Sequence, residues 1–458
     1  MKVISTFLKP RFAFVISAFT SVFFALSGCG GSSSNSSNNA SNPTSSTRSG
    51  ENTLTIISPH GKEIQNEFER GFKGKYPDAK LKWIDQGGSS DALRFVLDQF
   101  GGKTGEQGIG IDVFFGGGAD SFQDMENAKV LQTLPSEYSI PVQIDGVPLR
   151  GKNNVWVAAA LSGFGILSNR AIMQRDNLPV LQTWSDLGNP QLRGRVALAD
   201  PRHSGSAHMA YEIILQANGW DKGWKILTQM AGNSSAFGKS SSRLLEDVSS
   251  GEAVAAPAID FYALSKVAGA NGKLSYVEPA GQRVLAADPI GILRGAPQQK
   301  MARDFVAFVM SAPGQKLWML EKGAAGGPQN ETLYRLAALP SLYQPIPAGS
   351  VIKADPYASR NNFKFDPQKS ALRRRALDDL LGATLIDNLR DVQNWTKQNP
   401  NRVYIPLSEN ELNQFAIQLN EDSKRDKDKS GKRKNKDERR NAQISAWNQA
   451  ARAFFKIS

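Results

Sequence analysis

Residues 199–213, ADPRHSGSAHMAYEI, place Arg202, two of the chain's three histidines and the turn Ser204-Gly205-Ser206 just ahead of a helical pattern. A metal site, a nucleophile and an anion cradle could each be built from such a group. His203 and His208 stand about 140° apart around a helix, so they do not chelate one metal as a pair four residues apart can. Ser204 and His203 are neighbours in sequence, a spacing that does not set an imidazole on a hydroxyl as its base. The chain also lacks a G-x-S-x-G elbow, HExxH, S-x-x-K with its companions and a Walker A sequence, which argues for a binding protein and against an enzyme. An anion needs backbone N–H groups at a helix start, hydroxyl donors and often an arginine fork. Arg202, Ser204, Gly205 and Ser206 supply all three within five residues, although an ordinary helix cap draws on the same residue types.

The same equipment recurs elsewhere. Ser89 and Ser90, Gly117 with Asp120, and Ser241 within Ser240-Ser241-Ser242-Arg243 all follow short apolar runs. His60 could donate to an anion, ligate a metal or cap its helix. Tyr262 offers a ring and a hydroxyl. Asp260 would repel a bare anion unless it faced a hydroxyl, an amine or His60, which favours a hydroxylated or zwitterionic anion. The candidate ligand-binding set is therefore His60, Ser89, Ser90, Gly117, Asp120, Arg202, Ser204, Ser206, Ser241, Asp260 and Tyr262.

These residues need elements to position them. Leu54-Thr55-Ile56-Ile57 reads as a strand, followed by a helix with Ile64, Phe68 and Phe72 on one face. Lys80–Ile84 and Ile111–Phe115 are further strands, each running into a Gly/Ser-rich turn before a helix. Val155–Ile166 reads as two extended segments broken at Ser162-Gly163, and Arg195–Ala199 delivers the opening stretch. Strand, glycine-rich turn and helix in repetition mean an α/β fold with parallel sheets. Ligands of such sheets sit beyond the carboxyl ends of the strands.

Two lobes are expected, lobe 1 over 52–158 and 288–345 and lobe 2 over 159–287. Asp288-Pro289 and Trp156 lie near the hinge crossovers. Residues 346–458 form a helical, partly disordered extension. In it Leu372, Leu377, Leu380, Leu381, Leu385 and Leu389 repeat at near-helical spacing, and a last amphipathic helix runs over 441–455.

The N-terminus has a positive start at Lys2, Lys9 and Arg11, an apolar run from Phe12 to Leu26, and Leu-Ser-Gly-Cys ending at Cys29. The run is short of the roughly 20 apolar residues that cross a bilayer, so 1–29 reads as a secretory signal. Cys29 is the only cysteine, which excludes an intrachain disulfide and a cysteine-based zinc site. Residues 30–51 are a Ser/Asn/Gly tether. The net charge of +12 is half accounted for between Lys424 and Arg440, where ten basic residues meet four acidic ones. Such a run reads as a solvated segment, and without aromatic residues it is no stacking platform for nucleic acid.

Taken together, the chain resembles the substrate-binding lipoproteins of ABC importers, in the ferric-ion-type group of two-lobed periplasmic binding proteins. The resemblance rests on Leu54–Ser58 with His60, Ile111–Gly116, Asn189-Pro190 with Leu192–Val196, Asp200-Pro201 with Ser204-Gly205, and Ala312-Pro313-Gly314-Gln315. It covers about 52–345. It implies a type II periplasmic-binding-protein-like fold, a cleft that closes on a small solute, docking on permease subunits, and no cofactor. Leu26-Ser27-Gly28-Cys29 resembles a lipobox, which implies acylation of Cys29 and a membrane-tethered monomer in the cell envelope, facing periplasm or exterior. Relatives of the iron-binding kind imply a ferric ion as transported ligand, held here by His60, Asp260 and Tyr262. Phe261-Tyr262 stands where those proteins have two tyrosines, so one phenolate is missing. Phosphorylated sugars, phosphonates and similar anions are the favoured solutes. A reading of another class is an envelope adhesion or polymer-binding protein that uses the basic segment 424–440.

Overall fold

The computed structural model describes residues 53–134, 138–358, 363–425 and 433–457. The signal, the tether and Cys29 lie outside the described residues, as does the middle of the basic segment. Among the described residues no helix is long and apolar enough to cross a membrane.

Among the described residues thirteen strands run in chain order: β1 Thr53–Ile57, β2 Lys80–Ile84, β3 Val113–Phe115, β4 Gln143–Ile144, β5 Val147–Pro148, β6 Val157–Ser162, β7 Phe164–Asn169, β8 Val196–Ala199, β9 Ser234–Gly238, β10 Ala255–Ile259, β11 Leu274–Val277, β12 Ala286–Ile292 and β13 Leu336–Ala337. They build two principal sheets, of order β13-β6-β12-β3-β1-β2 and β11-β7-β10-β8-β9, while β4 and β5 pair as a hairpin. In the first sheet β1, β2 and β3 are parallel, and β12 runs antiparallel between β3 and β6. In the second, β8 pairs in parallel with β9 and β10, and β7 runs antiparallel between β10 and β11. This is the mixed-sheet, two-lobed α/β fold.

All six residues of β6 and all six of β7 are buried, which is the expected state of strands covered on both faces. They belong to different sheets, so the chain passes from one lobe to the other through Gly163 alone. The passage expected at 158/159 therefore falls four residues later, because β6 stays in the first sheet through Ser162. The return lies between β11 and β12. A Cβ on Gly163 would lie 2.5 Å from Glu278 Oε1, so a larger residue at this crossing would have to push the Glu278 carboxylate aside.

The expected apolar faces form the cores. Ile64, Phe68 and Phe72 of the Lys62–Lys75 helix are at most 1% exposed and pack with Phe115, Phe305 and Trp318 in lobe 1. The core of lobe 2 does not end with its sheet. Phe365, Leu377, Leu380, Leu381, Leu385, Trp395, Tyr404 and Phe455 continue it, so the C-terminal extension and lobe 2 share one hydrophobic interior.

The extension consists of the Pro367–Leu381 helix, a π-turn over Gly382–Ile386, and the helices Leu389–Gln398, Glu409–Arg425 and Arg433–Ile457. Asp366 starts the first of these by accepting from the Gln368 and Lys369 amides, with Pro367 at the first helical position.

Candidate functional site

The strand ends of the two sheets face each other and are pressed together. Gly88, at the end of β2, abuts lobe 2 so closely that a Cβ there would lie 2.1 Å from the His203 carbonyl oxygen. Arg94 Nη2 donates to the Arg202 carbonyl at 3.1 Å, and His203 Nδ1 lies 3.4 Å from Asp91 Oδ1. Near the crossing, the Gly61 amide donates to the Tyr262 hydroxyl at 3.3 Å. The loops of the two sheets are thus in direct contact along this seam.

Two groups of the expected residues separate along this seam. The first lies beside the crossing and is rich in charge. His60 Nε2 sits 2.7 Å from Asp288 Oδ2 and 3.2 Å from Arg335 Nη1. Arg335 pairs with Asp288 at 2.5 Å, donates to Ser162 Oγ at 3.0 Å, and lies 3.9 Å above the Phe261 ring. Asp288, Arg335 and His60 are all at most 5% exposed. Burial opposes ionisation of Asp288, but Arg335 and His60 hold its carboxyl below the usual range, and the Gly117 amide serves the same carboxylate. Asp260 accepts from the Gly163 and Phe261 amides, both at 2.7 Å. Burial pushes its carboxyl up to about 7 against those hydrogen bonds, with the negative charge of Glu278 adding to the effect. Burial also moves the Tyr262 phenol up to about 12.

Phe261, which stands where the resemblance implied a first tyrosine, points away from a ligand role. It inserts into the lobe 1 core beneath the Arg335 guanidinium, where an apolar ring packs and makes a cation–π contact. The ferric set is answered by the same cluster. The His60 nitrogen facing its neighbours meets a guanidinium, Asp260 is spent on backbone amides, and Tyr262 bonds across to lobe 1.

The second group lies farther along the seam and is built of hydroxyls. Ser204 and Ser206 begin the Gly205–Asn218 helix, and Ser241 begins the Ser241–Ser250 helix. Ser204 Oγ lies 2.7 Å from Ser241 Oγ and 3.3 Å from Ser206 Oγ, and Ser206 Oγ donates to Ser241 Oγ at 3.0 Å. Ser204 also caps its helix by accepting from the Ala207 amide at 3.3 Å, so the cap and the hydroxyl cluster are one feature. From lobe 1, Ser89 reaches this first turn, with its Oγ 2.3 Å from where a Cβ on Gly205 would be. Two helix starts thus converge with their free N–H groups and three hydroxyls on one spot.

Arg202 does not serve as the open fork expected of it. Its guanidinium makes contacts of 2.7–3.0 Å with Asp200 and of 3.0–3.2 Å with Asp387 of the extension. These two carboxylates raise its pKa further despite burial. Asp120 and Ser90 are likewise engaged, by Arg374 of the extension: Nε lies 2.7 Å from Asp120 Oδ2, and Nη2 donates to Ser90 Oγ at 3.0 Å. His208 is fully buried, with Nδ1 2.7 Å from Asp378 Oδ1. Burial works against its protonation, yet the Asp378 charge holds its pKa above the ordinary value.

Arg335 and Arg374 escaped the sequence reading, since each acts through partners far away in the chain; Glu278, paired with Arg283 five residues on, escaped it because its place beside Gly163 and Asp260 is set by the fold. A local signal did exist for Arg202: Asp200 stands two residues before it, close enough to claim the guanidinium.

Residues 66–321, more than half of the chain, match the family described as bacterial extracellular solute-binding proteins. The phosphoglycerate transport regulatory protein PgtC of Salmonella typhimurium is 28% identical over 193 residues, 42% of this chain and 48% of that protein. The chain thus spans about half the length of the curated relatives it matches first. A protein of Haemophilus influenzae is 27% identical over 257 residues, covering 54% of this chain and 70% of the other. Among solved structures, the periplasmic binding protein AfuA from Actinobacillus pleuropneumoniae, with exogenous fructose-6-phosphate bound, shares the fold at TM-score 0.56 and 19% identity, over 76% of this chain and 99% of that one. The apo ferric ion-binding protein A of Pasteurella haemolytica shares it at TM-score 0.54 and 13% identity, over 74% and 98%.

Proposed function

The chain belongs to the bacterial extracellular solute-binding proteins, and on that premise we propose that it captures a small anionic, hydroxylated solute between its lobes and hands it to the permease of an ABC importer. A phosphorylated sugar, a phosphorylated acid or a phosphonate fits the site. The convergence of Ser204, Ser206 and Ser241 at two helix starts, opposite Ser89, carries this reading. Oriented N–H groups and hydroxyls are neutral donors, which hold a phosphoryl oxygen without a buried charge of their own. The name of the Salmonella relative and the sugar phosphate in the Actinobacillus structure support the same solute class. Acylation at Cys29, with 30–51 as a tether, would keep the receptor at the envelope beside its permease. The lobes we assign are the two sheet systems, with the described helices of the extension attached to the second.

The test is calorimetric titration of the full-length protein in detergent with phosphoglycerate, fructose-6-phosphate, a phosphonate, fructose and ferric citrate. Saturable binding of a phosphorylated probe is expected, with a rise in unfolding free energy of about 2.7 kcal/mol at a hundredfold excess over Kd. Binding of fructose as tight as that of its phosphate removes the anion reading. A ferric-dependent visible absorption band would transfer the site to His60, Asp260 and Tyr262.

A further inference from the structure

We propose that Arg374 is a solute-binding, specificity-determining residue, delivered to the cleft by the C-terminal extension. The proposal rests on the anion reading above and assigns the arginine which that site otherwise lacks.

Arg202 is closed off by Asp200 and Asp387, but Arg374 stands at the serine group. Its side chain is 8% exposed. Besides the contact with Ser90, its Nη2 lies 3.8 Å from the position of a Cβ on Gly205, in the first turn of the Gly205–Asn218 helix. It therefore sits between Ser90 of lobe 1 and the helix start of lobe 2, beside the close approach of Ser89 to that turn. A guanidinium has five N–H donors in a planar fork. Asp120 and Ser90 occupy part of the fork, and the next carboxylate, Asp124, lies 3.8 Å away with a side chain 42% exposed. Asp120 is thus the carboxylate nearest the guanidinium, with the charges of Asp124 and Asp378 adding to its compensation.

The extension holds this arginine in place. Arg373 and Arg374 are consecutive, so they point about 100° apart around the helix. Arg373 makes a wholly buried pair with Glu212 of lobe 2 at 2.8 Å, and Asp378 and Asp379 of the same helix are tied to His208 and Arg440. The helix is fixed to lobe 2 on one side and offers Arg374 to lobe 1 on the other. A phosphoryl group entering beside Ser89 would meet three kinds of donor: the serine hydroxyls, the amides of the first helical turn and Arg374. Asp120 would then be its competitor for the guanidinium.

Titration of the full-length protein with phosphoglycerate and fructose-6-phosphate tests this through two variants with opposite expected signs. R374Q should weaken binding about tenfold or more, the loss of one charge-assisted contact. D120N should tighten binding several-fold, because the competing carboxylate is gone. R374K, which keeps the charge but loses the fork, should fall between R374Q and the parent. It also serves as the comparator if R374Q proves unstable by thermal melting. Unchanged affinity in R374Q and R374K overturns the proposal while leaving the anion reading intact. D120N weakening binding as much as R374Q also overturns it, since Arg374 and Asp120 would then only staple the lobes together. If the parent binds neither probe, the anion reading falls and the proposal falls with it.

Discussion

Beside the crossing, His60, Asp288, Arg335 and Ser162 answer one another's charges and hydrogen bonds, and Phe261 closes the group from below. Farther out, among the described residues, the hydroxyls of Ser204, Ser206 and Ser241 bond to one another and to one backbone amide, and Arg374 of the extension stands beside the first turn of their helix. Both regions lie where strand ends of two lobes meet. The difference lies in what remains to be offered. A buried ion pair whose partners are matched is a structural tie, and a foreign ion entering it must first break it. Hydroxyls can rotate from one another to a newcomer at little cost, and helix starts keep their donors pointed at the gap. Polar residues at a strand end are therefore not equivalent candidates. Their worth depends on whether the fold has already used them.

The sharpest way to break this contrast is to remove Arg335. R335A leaves Asp288 buried with only His60 to compensate it, so unfolding in urea should show a loss of about 3 kcal/mol or more. A loss below about 1 kcal/mol would mean that the charged group is not a structural tie.

Asp260 gives a second handle on the same region, through pH. Its carboxyl is raised to about 7 in the folded protein, so between about pH 4 and pH 7 the folded state holds a proton that the unfolded chain has released. This contribution is fully present below about pH 4 and is lost as pH rises through about 7. It amounts to at most about 1.4 kcal/mol per pH unit. The difference in unfolding free energy between the parent and D260N should carry that downward slope. A flat difference would show that Asp260 is ionised throughout.

The smallest effect on folding is expected in the hydroxyl group. S241A removes one neutral hydrogen-bonding partner and should cost about 1 kcal/mol or less in stability, yet it should weaken binding of a phosphorylated probe about tenfold. If stability suffers and binding does not, the serines belong with the structural ties and the two regions are alike.

Much of the architecture could be read along the chain, because it is written in local pattern. The alternation of strand, glycine-rich turn and helix pointed to two lobes, and Ser162-Gly163 stood out as a break between two extended segments, although the passage between lobes was expected at 158/159 and β6 stays in the first sheet through Ser162. The serines at 89, 204, 206 and 241 could be named because cap residues sit at fixed offsets from the helices they start. What stayed hidden was pairing over distance. Arg335 meets His60 across 275 positions, and Arg374 meets Ser90 across 284. No periodicity encodes such meetings. The leucines of 371–389 announced a packed helix, but a leucine pattern gives no hint that the arginine between Arg373 and Arg375 leaves that face for the other lobe. The extension was legible as helical and not as part of the lobe 2 core.

One residue, Gly163, joins the two sheets on the outward passage, and the return segment runs close by against Glu278. Such a joint behaves as a pin and not as a ball: rotation about it displaces each atom in proportion to its distance from the axis. Groups near the pin, such as Asp260 and the Ser162–Arg335 contact, shift little as the jaws swing. A swing of the lobes would move the serine group and the Ser89–Gly205 contact more than it would move the group around Asp260. Leverage would thus give the inner cluster the stillness of a bearing and the outer one the stroke of a gate.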